Sequence, residues 1–150
     1  MKIGIASDHA GFEFKQRIQR LLLDGGHALT DFGTHDTESV DYPDVGIPAA
    51  EAVSKGQLDR AVLICASGIG MSIVANKIPG VRAALCHDLF TATASRQHND
   101  ANVLVLGQRV VPAEAVAEIV NVWIETPFEG GRHQRRLSKI GAVEQRLKSK

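Results

Sequence analysis

"AVLICASGIGMSIVANK", residues 61–77, runs from an uninterrupted apolar segment through a glycine-bearing turn into a stretch of helical character. Ala61 to Cys65 shows no polar alternation, which is the mark of a strand buried on both faces. Four further short apolar runs recur along the chain: Ile3 to Ala6, His27 to Phe32, Val81 to Cys86 and Val103 to Leu106. Amphipathic segments separate them. In the first, Phe12, Phe14, Ile18, Leu21 and Leu22 recur at near-helical spacing before Gly25-Gly26 supplies a stop. Pro43 and Pro112 suit the first turns of helices after Tyr42 and Val111. Five strand-helix alternations predict an α/β fold: a five-stranded parallel sheet with helices on both faces and right-handed crossovers. A last helix is expected from about Gly131 to Leu147.

The chain has 150 residues, enough for one domain spanning 1–150. Hydrophobic residues make up 44% and charged residues 23%, an ordinary globular balance. The start, "MKIGIASDHAGF", has too short an apolar stretch for a signal peptide, and no segment approaches a membrane span. A cytoplasmic protein is expected, with Cys65 and Cys86 as free thiols. None of the six histidines forms an H-x-x-x-H pair and there is no C-x-x-C, so no metal is expected. The net charge of zero conceals an asymmetry: residues 132–150 hold seven Lys or Arg against one acid. Such a tail is a solvated helix face, or it binds an anion.

In parallel sheets of this kind ligands bind beyond the carboxyl ends of the strands. Asp8 and His9 follow the first strand, Tyr42 falls in the loop after the second, and Cys65 ends the third. The turn Ala66 to Gly70 offers backbone N–H groups and the positive end of a helix dipole. That field attracts an anion and favours the thiolate of the cysteine beside it. The plainer reading is a tight structural turn with Cys65 as a small buried apolar residue. No Gly-Lys pair occurs, which removes a P-loop. A dinucleotide fingerprint would need a glycine at Ile73, although Asp88 lies at the spacing of its acidic residue. Asp8 either caps a helix or serves a ligand. Arg132 and Arg136 share a helix face, and with Arg109, just past the fifth strand, they suit a phosphate or ordinary surface pairing. His98 and Asn99 precede the fifth strand and so belong to the edge opposite Cys65. If they act with Cys65, another subunit supplies them.

Together "SDHAGF" (7–12), "DYPD" (41–44), "CASGIGMSIVANK" (65–77), "SRQHNDANVLVLGQRVV" (95–111) and "FEGGRHQRR" (128–136) resemble the ribose-5-phosphate isomerase B family. That family includes galactose-6-phosphate isomerase subunits. The resemblance implies a Rossmann-like fold and a metal-independent, cofactor-free aldose-ketose isomerase, dimeric or tetrameric, with sites shared between subunits. Such an enzyme opens a phosphorylated sugar and moves a proton between C1 and C2 through a cis-enediolate. In the family branch with cysteine at position 65 that thiolate is the base; a sister branch uses glutamate at the position of Met71, which cannot transfer a proton. Carried over, His98 assists ring opening and Asp8 holds sugar oxygens. Ser67 and Tyr42 contact hydroxyls, while Gly68, Ile69, Gly70 and Asn99 stabilise the enediolate. His9, Arg109, Arg132 and Arg136 hold the phosphate.

Ribose 5-phosphate is the expected substrate, with allose 6-phosphate, galactose 6-phosphate and erythrulose 4-phosphate open. Neither nucleic acid nor membrane is an expected partner. Two other classes rest on single features: a dinucleotide-binding oxidoreductase on Gly68, Gly70 and Asp88, and a non-catalytic sugar-phosphate or nucleic-acid binder on the basic tail.

Overall fold

Side chains of the three central strands point alternately into two separate cores, which is why these strands read as continuous apolar runs. A computed structural model describes residues 1–150. Its strands are β1 (Lys2–Ser7), β2 (Ala28–Asp31), β3 (Arg60–Cys65), β4 (Ala83–Leu85) and β5 (Val103–Gly107). All pairings are parallel, in the order β2-β1-β3-β5-β4. The helices are α1 (Phe12–Asp24), α2 (Tyr42–Ser54), α3 (Ile69–Asn76), α4 (Leu89–Asn99), α5 (Val116–Glu125) and α6 (Arg132–Lys148).

Ile3, Ile5, Val62, Ile64, Leu104 and Leu106 face α1, α4 and α5, meeting Phe14, Ile18, Ala92, Ile119 and Trp123. Ala6, Ala61, Leu63, Cys65, Val103 and Val105 face α2 and α3, meeting Ala49, Ala50, Val53, Met71 and Ala75. Each large apolar side chain so buried stabilises the fold by about 1.5–3 kcal/mol. The result is the expected three-layer Rossmann-like sandwich. No helix is long and apolar enough to cross a membrane.

Local chemistry sets the element ends. The buried face of α1 carries Phe14, Ile18 and Leu22, one turn apart. Its end falls at Gly25, followed by Gly26 at φ 81°. Pro43 occupies the first turn of α2. Several boundaries differ from expectation. β4 is Ala83–Leu85 rather than Val81–Cys86, because the Val81 amide closes a turn onto the Ile78 carbonyl. β2 is Ala28–Asp31 rather than His27–Phe32. Tyr42 opens α2 instead of lying in the loop before it. Pro112 precedes a single 3-10 turn, Ala113–Ala115, so α5 starts later.

The chain leaves β1 for one sheet neighbour, β2, and reaches the other, β3, only after crossing back. The carboxyl ends of β1 and β3 therefore border a crevice of the kind in which α/β sheets bind ligands. Ser7 is in register with Ile64, which puts Asp8 level with Cys65. Lys15, 1% exposed, supports the neighbouring loop from α1: its Nζ lies 2.7 Å from Asp31 Oδ1 and also donates to the Thr34 carbonyl.

Candidate active site

Cys65 ends β3 with its sulfur turned into the loop that follows. The Gly68 amide donates to Cys65 Sγ at 3.2 Å. A left-handed backbone at Gly68, φ 80°, turns that amide inward, and an L side chain is strained in such a conformation. The loop is held from below by β5: Gln108 N–H donates to the Cys65 carbonyl at 2.9 Å and Arg109 N–H to that of Ala66 at 3.0 Å. Gly107 permits this approach, since a Cβ there would lie 2.5 Å from the Ser67 carbonyl group. Ser67 Oγ accepts the Ile69 amide at 3.2 Å, and α3 begins with Ser72 N–H donating to the Gly68 carbonyl. The thiol thus meets a backbone amide donor at the amino end of α3.

Asp8, 7% exposed, accepts the Gly11 amide on Oδ1 at 3.1 Å, so the capping role is realised at the same edge as Cys65. His9 Nδ1 accepts the Val40 amide at 3.2 Å. Tyr42 lies against Gly70: a Cβ at Gly70 would sit 2.5 Å from its ring. That ring covers the glycine a pyrophosphate would have to approach in the dinucleotide reading. Asp88 is also engaged, capping α4 in a reciprocal box with Thr91 whose hydrogen bonds hold its carboxyl below the usual range. Met71, where the sister branch has glutamate, is fully buried.

The remaining expected residues lie elsewhere. α4 runs back across the sheet, so His98 and Asn99 reach the amino edge of β5, where Arg82 Nε donates to the Asn99 carbonyl. The His98 ring stacks on His133, with centroids 4.4 Å apart and planes 13° from parallel. Arg132 and Arg136 flank His133 on the exposed side of α6. One chain thus unites Asp8, His9, Tyr42, Cys65, Ser67, Gly68, Ile69, Gly70 and Arg109 along the carboxyl edge. It puts His98, Asn99, Arg132 and Arg136 at the other edge. The two cavities, about 480 and 360 Å³, both lie against α6, the larger lined by Arg82, Asn99, Leu137 and Ile140. Neither touches Cys65.

His98, Glu129 and His133 bring ligand atoms within 4.8 Å of one another, yet they do not suit a metal. Near-parallel stacked rings aim their nitrogen lone pairs side by side, whereas a bound ion needs them to converge. Loss of solvent, then the charges of His98 and Arg132, hold His133 below the ordinary histidine range. His133 and Glu129, 3.6 Å apart, were not among the expected site residues. The signal for His133 is its place in "GRHQRR": one helix step from Arg132 turns it about 100° inward. Gln108, whose Oε1 accepts the Phe14 amide at 3.0 Å, carries no such signal.

Known proteins of the same size and fold are similar to this chain. A solved structure of ribose-5-phosphate isomerase B from Clostridium thermocellum superposes with a TM-score of 0.95 at 51% identity, covering 98% of this chain and 99% of that one. Ribose-5-phosphate isomerase B of Escherichia coli (strain K12) is 46% identical over 145 residues, 97% of each chain. D-erythrulose-4-phosphate isomerase of Pectobacterium atrosepticum is 40% identical over 149 residues, 99% of this chain and 98% of the relative. The model for "Ribose/Galactose Isomerase" matches residues 3–140, and the chain belongs to that family.

Proposed function

We propose that the chain interconverts ribose 5-phosphate and ribulose 5-phosphate, with Cys65 as general base. The observation that carries this reading is the Gly68 amide on Cys65 Sγ, level with Asp8 in the β1/β3 crevice. The C–H proton next to a carbonyl is too weakly acidic for a thiolate unless the growing oxyanion is stabilised as it forms. Amides at the start of α3, with Asn99, supply that stabilisation. Ring opening comes first: His98 takes the proton of the anomeric hydroxyl as the ring C–O bond breaks and passes it to the ring oxygen. Cys65 Sγ then removes the proton from C2, the electron pair forms the C1–C2 double bond of a cis-enediolate, and the thiol returns a proton to C1. Transfer of the O2 proton to O1 completes the ketose.

Asp8, Ser67 and Tyr42 hold sugar oxygens, while His9, Arg109, Arg132 and Arg136 hold the phosphate. Fixing the remote phosphate turns binding energy into orientation of C1 and C2 against the sulfur. Because His98, Asn99, Arg132 and Arg136 lie at the edge away from Cys65, a second copy of the chain contributes them and the working unit is at least a dimer. Residues 1–150 act as one domain, in the cytoplasm, without metal or cofactor. A panel of four-, five- and six-carbon aldose and ketose phosphates, assayed with chelator present, tests the assignment. The highest kcat/KM is expected for ribose 5-phosphate. Preference for erythrulose 4-phosphate, the substrate named for the Pectobacterium relative, would reassign the substrate, and loss of turnover with chelator would overturn the mechanism.

A further inference from the structure

Asp100 directly follows His98 and Asn99 and is the one residue other than glycine with a positive φ, at φ 44° and ψ 44°. A left-handed turn after a helix is commonly met by glycine alone; at an L-residue it costs free energy that its surroundings must offset. Here two arginines from different elements hold it. Arg96 Nη1 lies 2.9 Å from Asp100 Oδ1, and Arg82 Nη2 donates to Oδ2 at 3.3 Å. Arg82 also grips the backbone: its Nε and Nη2 donate to the Asp100 carbonyl at 3.1 and 2.9 Å, and Nε to the Asn99 carbonyl at 3.1 Å. Arg96, 5% exposed, ties the next residue by donating to the Ala101 carbonyl at 2.6 Å. Arg82 is itself fixed, its amide donating to Asn102 Oδ1 at 2.8 Å. On the other side, the Glu129 amide donates to the Gln97 carbonyl at 3.1 Å, fastening the segment that brings His133 onto His98.

This is more than a helix end requires, and it surrounds the two residues that must leave this chain to complete a neighbour's site. We infer that Asp100, clamped by Arg82 and Arg96, is a positioning residue: by fixing where α4 stops, it sets the direction in which His98 and Asn99 are presented. The functional half of this inference rests on the isomerase reading; the structural half does not.

Asp100→Gly keeps the left-handed backbone and deletes the carboxylate, while Asp100→Asn keeps shape and backbone preference and deletes the charge. Asp88→Ala, which removes the cap at the other end of α4, serves as the reference for helix destabilisation alone. In both Asp100 variants kcat is expected to fall at least about tenfold, the scale of a small misplacement of a reacting group. KM should change by less than about twofold, since the phosphate contacts are retained. Asp88→Ala should lower Tm and leave kcat near normal. By NMR, the His98 ring signals, displaced in the parent protein by stacking on His133, should move toward those of a free histidine in Asp100→Gly. Should that variant fail to fold, Asp100→Asn decides. Unchanged His98 signals, or normal kcat in an active Asp100 variant, overturns the inference. A parent protein inactive on every sugar phosphate would sink the isomerase reading, and the His98 signals would still decide whether Asp100 places that ring.

Discussion

Cys86 packs among Ala92 and the apolar residues of the first core, and burial pushes its thiol up to about 11, so it stays protonated and inert. Cys65 is also largely buried, but its sulfur meets the Gly68 amide at the head of α3. The difference is legible in the sequence, because Cys65 is followed by Ser67, Gly68 and Gly70 while Cys86 is followed by no such turn. What individual residues did not reveal was mutual support: the Val40 amide on His9, the Gly107 backbone under Ser67, the His133 ring on His98. Each is a contact between segments far apart in the chain, and no local pattern encodes it. Replacing Cys65 by alanine removes the proposed base and little else. Cys65→Ala should keep its fold and bind inorganic phosphate while kcat falls at least about a hundredfold, the usual worth of a general base. Steady-state kinetics beside a circular-dichroism spectrum checks this, and near-normal turnover would refute the role.

Among the elements, strands buried on both faces were read correctly in place and kind, since a fully apolar run leaves little alternative. The edge strand β4 was read too long. Bonded to β5 alone, it is held on one side only, and Val81 joins a turn instead. The loop between β2 and α2 depends on a buried charge that periodicity does not disclose. Burial alone raises the Asp31 carboxyl, but hydrogen bonds from Lys15, the Gly33 amide and Gln19, with the charge of Lys15, outweigh it and leave the group below its ordinary 3.8. A carboxyl depressed in the folded state contributes stability fully above pH 3.8, and that stability is lost as pH falls through the lowered value. The urea midpoint should therefore drop in this acid range in the parent protein. In Asp31→Asn it should be lower at neutral pH and flatter over the same range. Equal slopes in the two proteins would show that Asp31 does not carry the dependence.

At the scale of the whole molecule, parallel topology allots each functional group to an edge. Residues after strands gather at the carboxyl edge with Cys65; residues at the ends of returning helices gather at the other with His98. That division could be read from sequence order alone, because a helix after a parallel strand must run back. Strand order could not, since nothing in β4 or β5 marks which lies at the edge. In the proposed enzyme Cys65 of one subunit works with His98 of another, and subunit mixing distinguishes this from a site within one chain. Cys65→Ala and His98→Asn proteins, each inactive alone, are mixed in equal amounts under conditions of subunit exchange. In a hybrid dimer one shared site carries both substitutions and the other carries neither, so the mixture should recover up to about a quarter of parental activity. Activity no greater than the sum of the two separate variants, with exchange verified by mass spectrometry, would contradict the shared site.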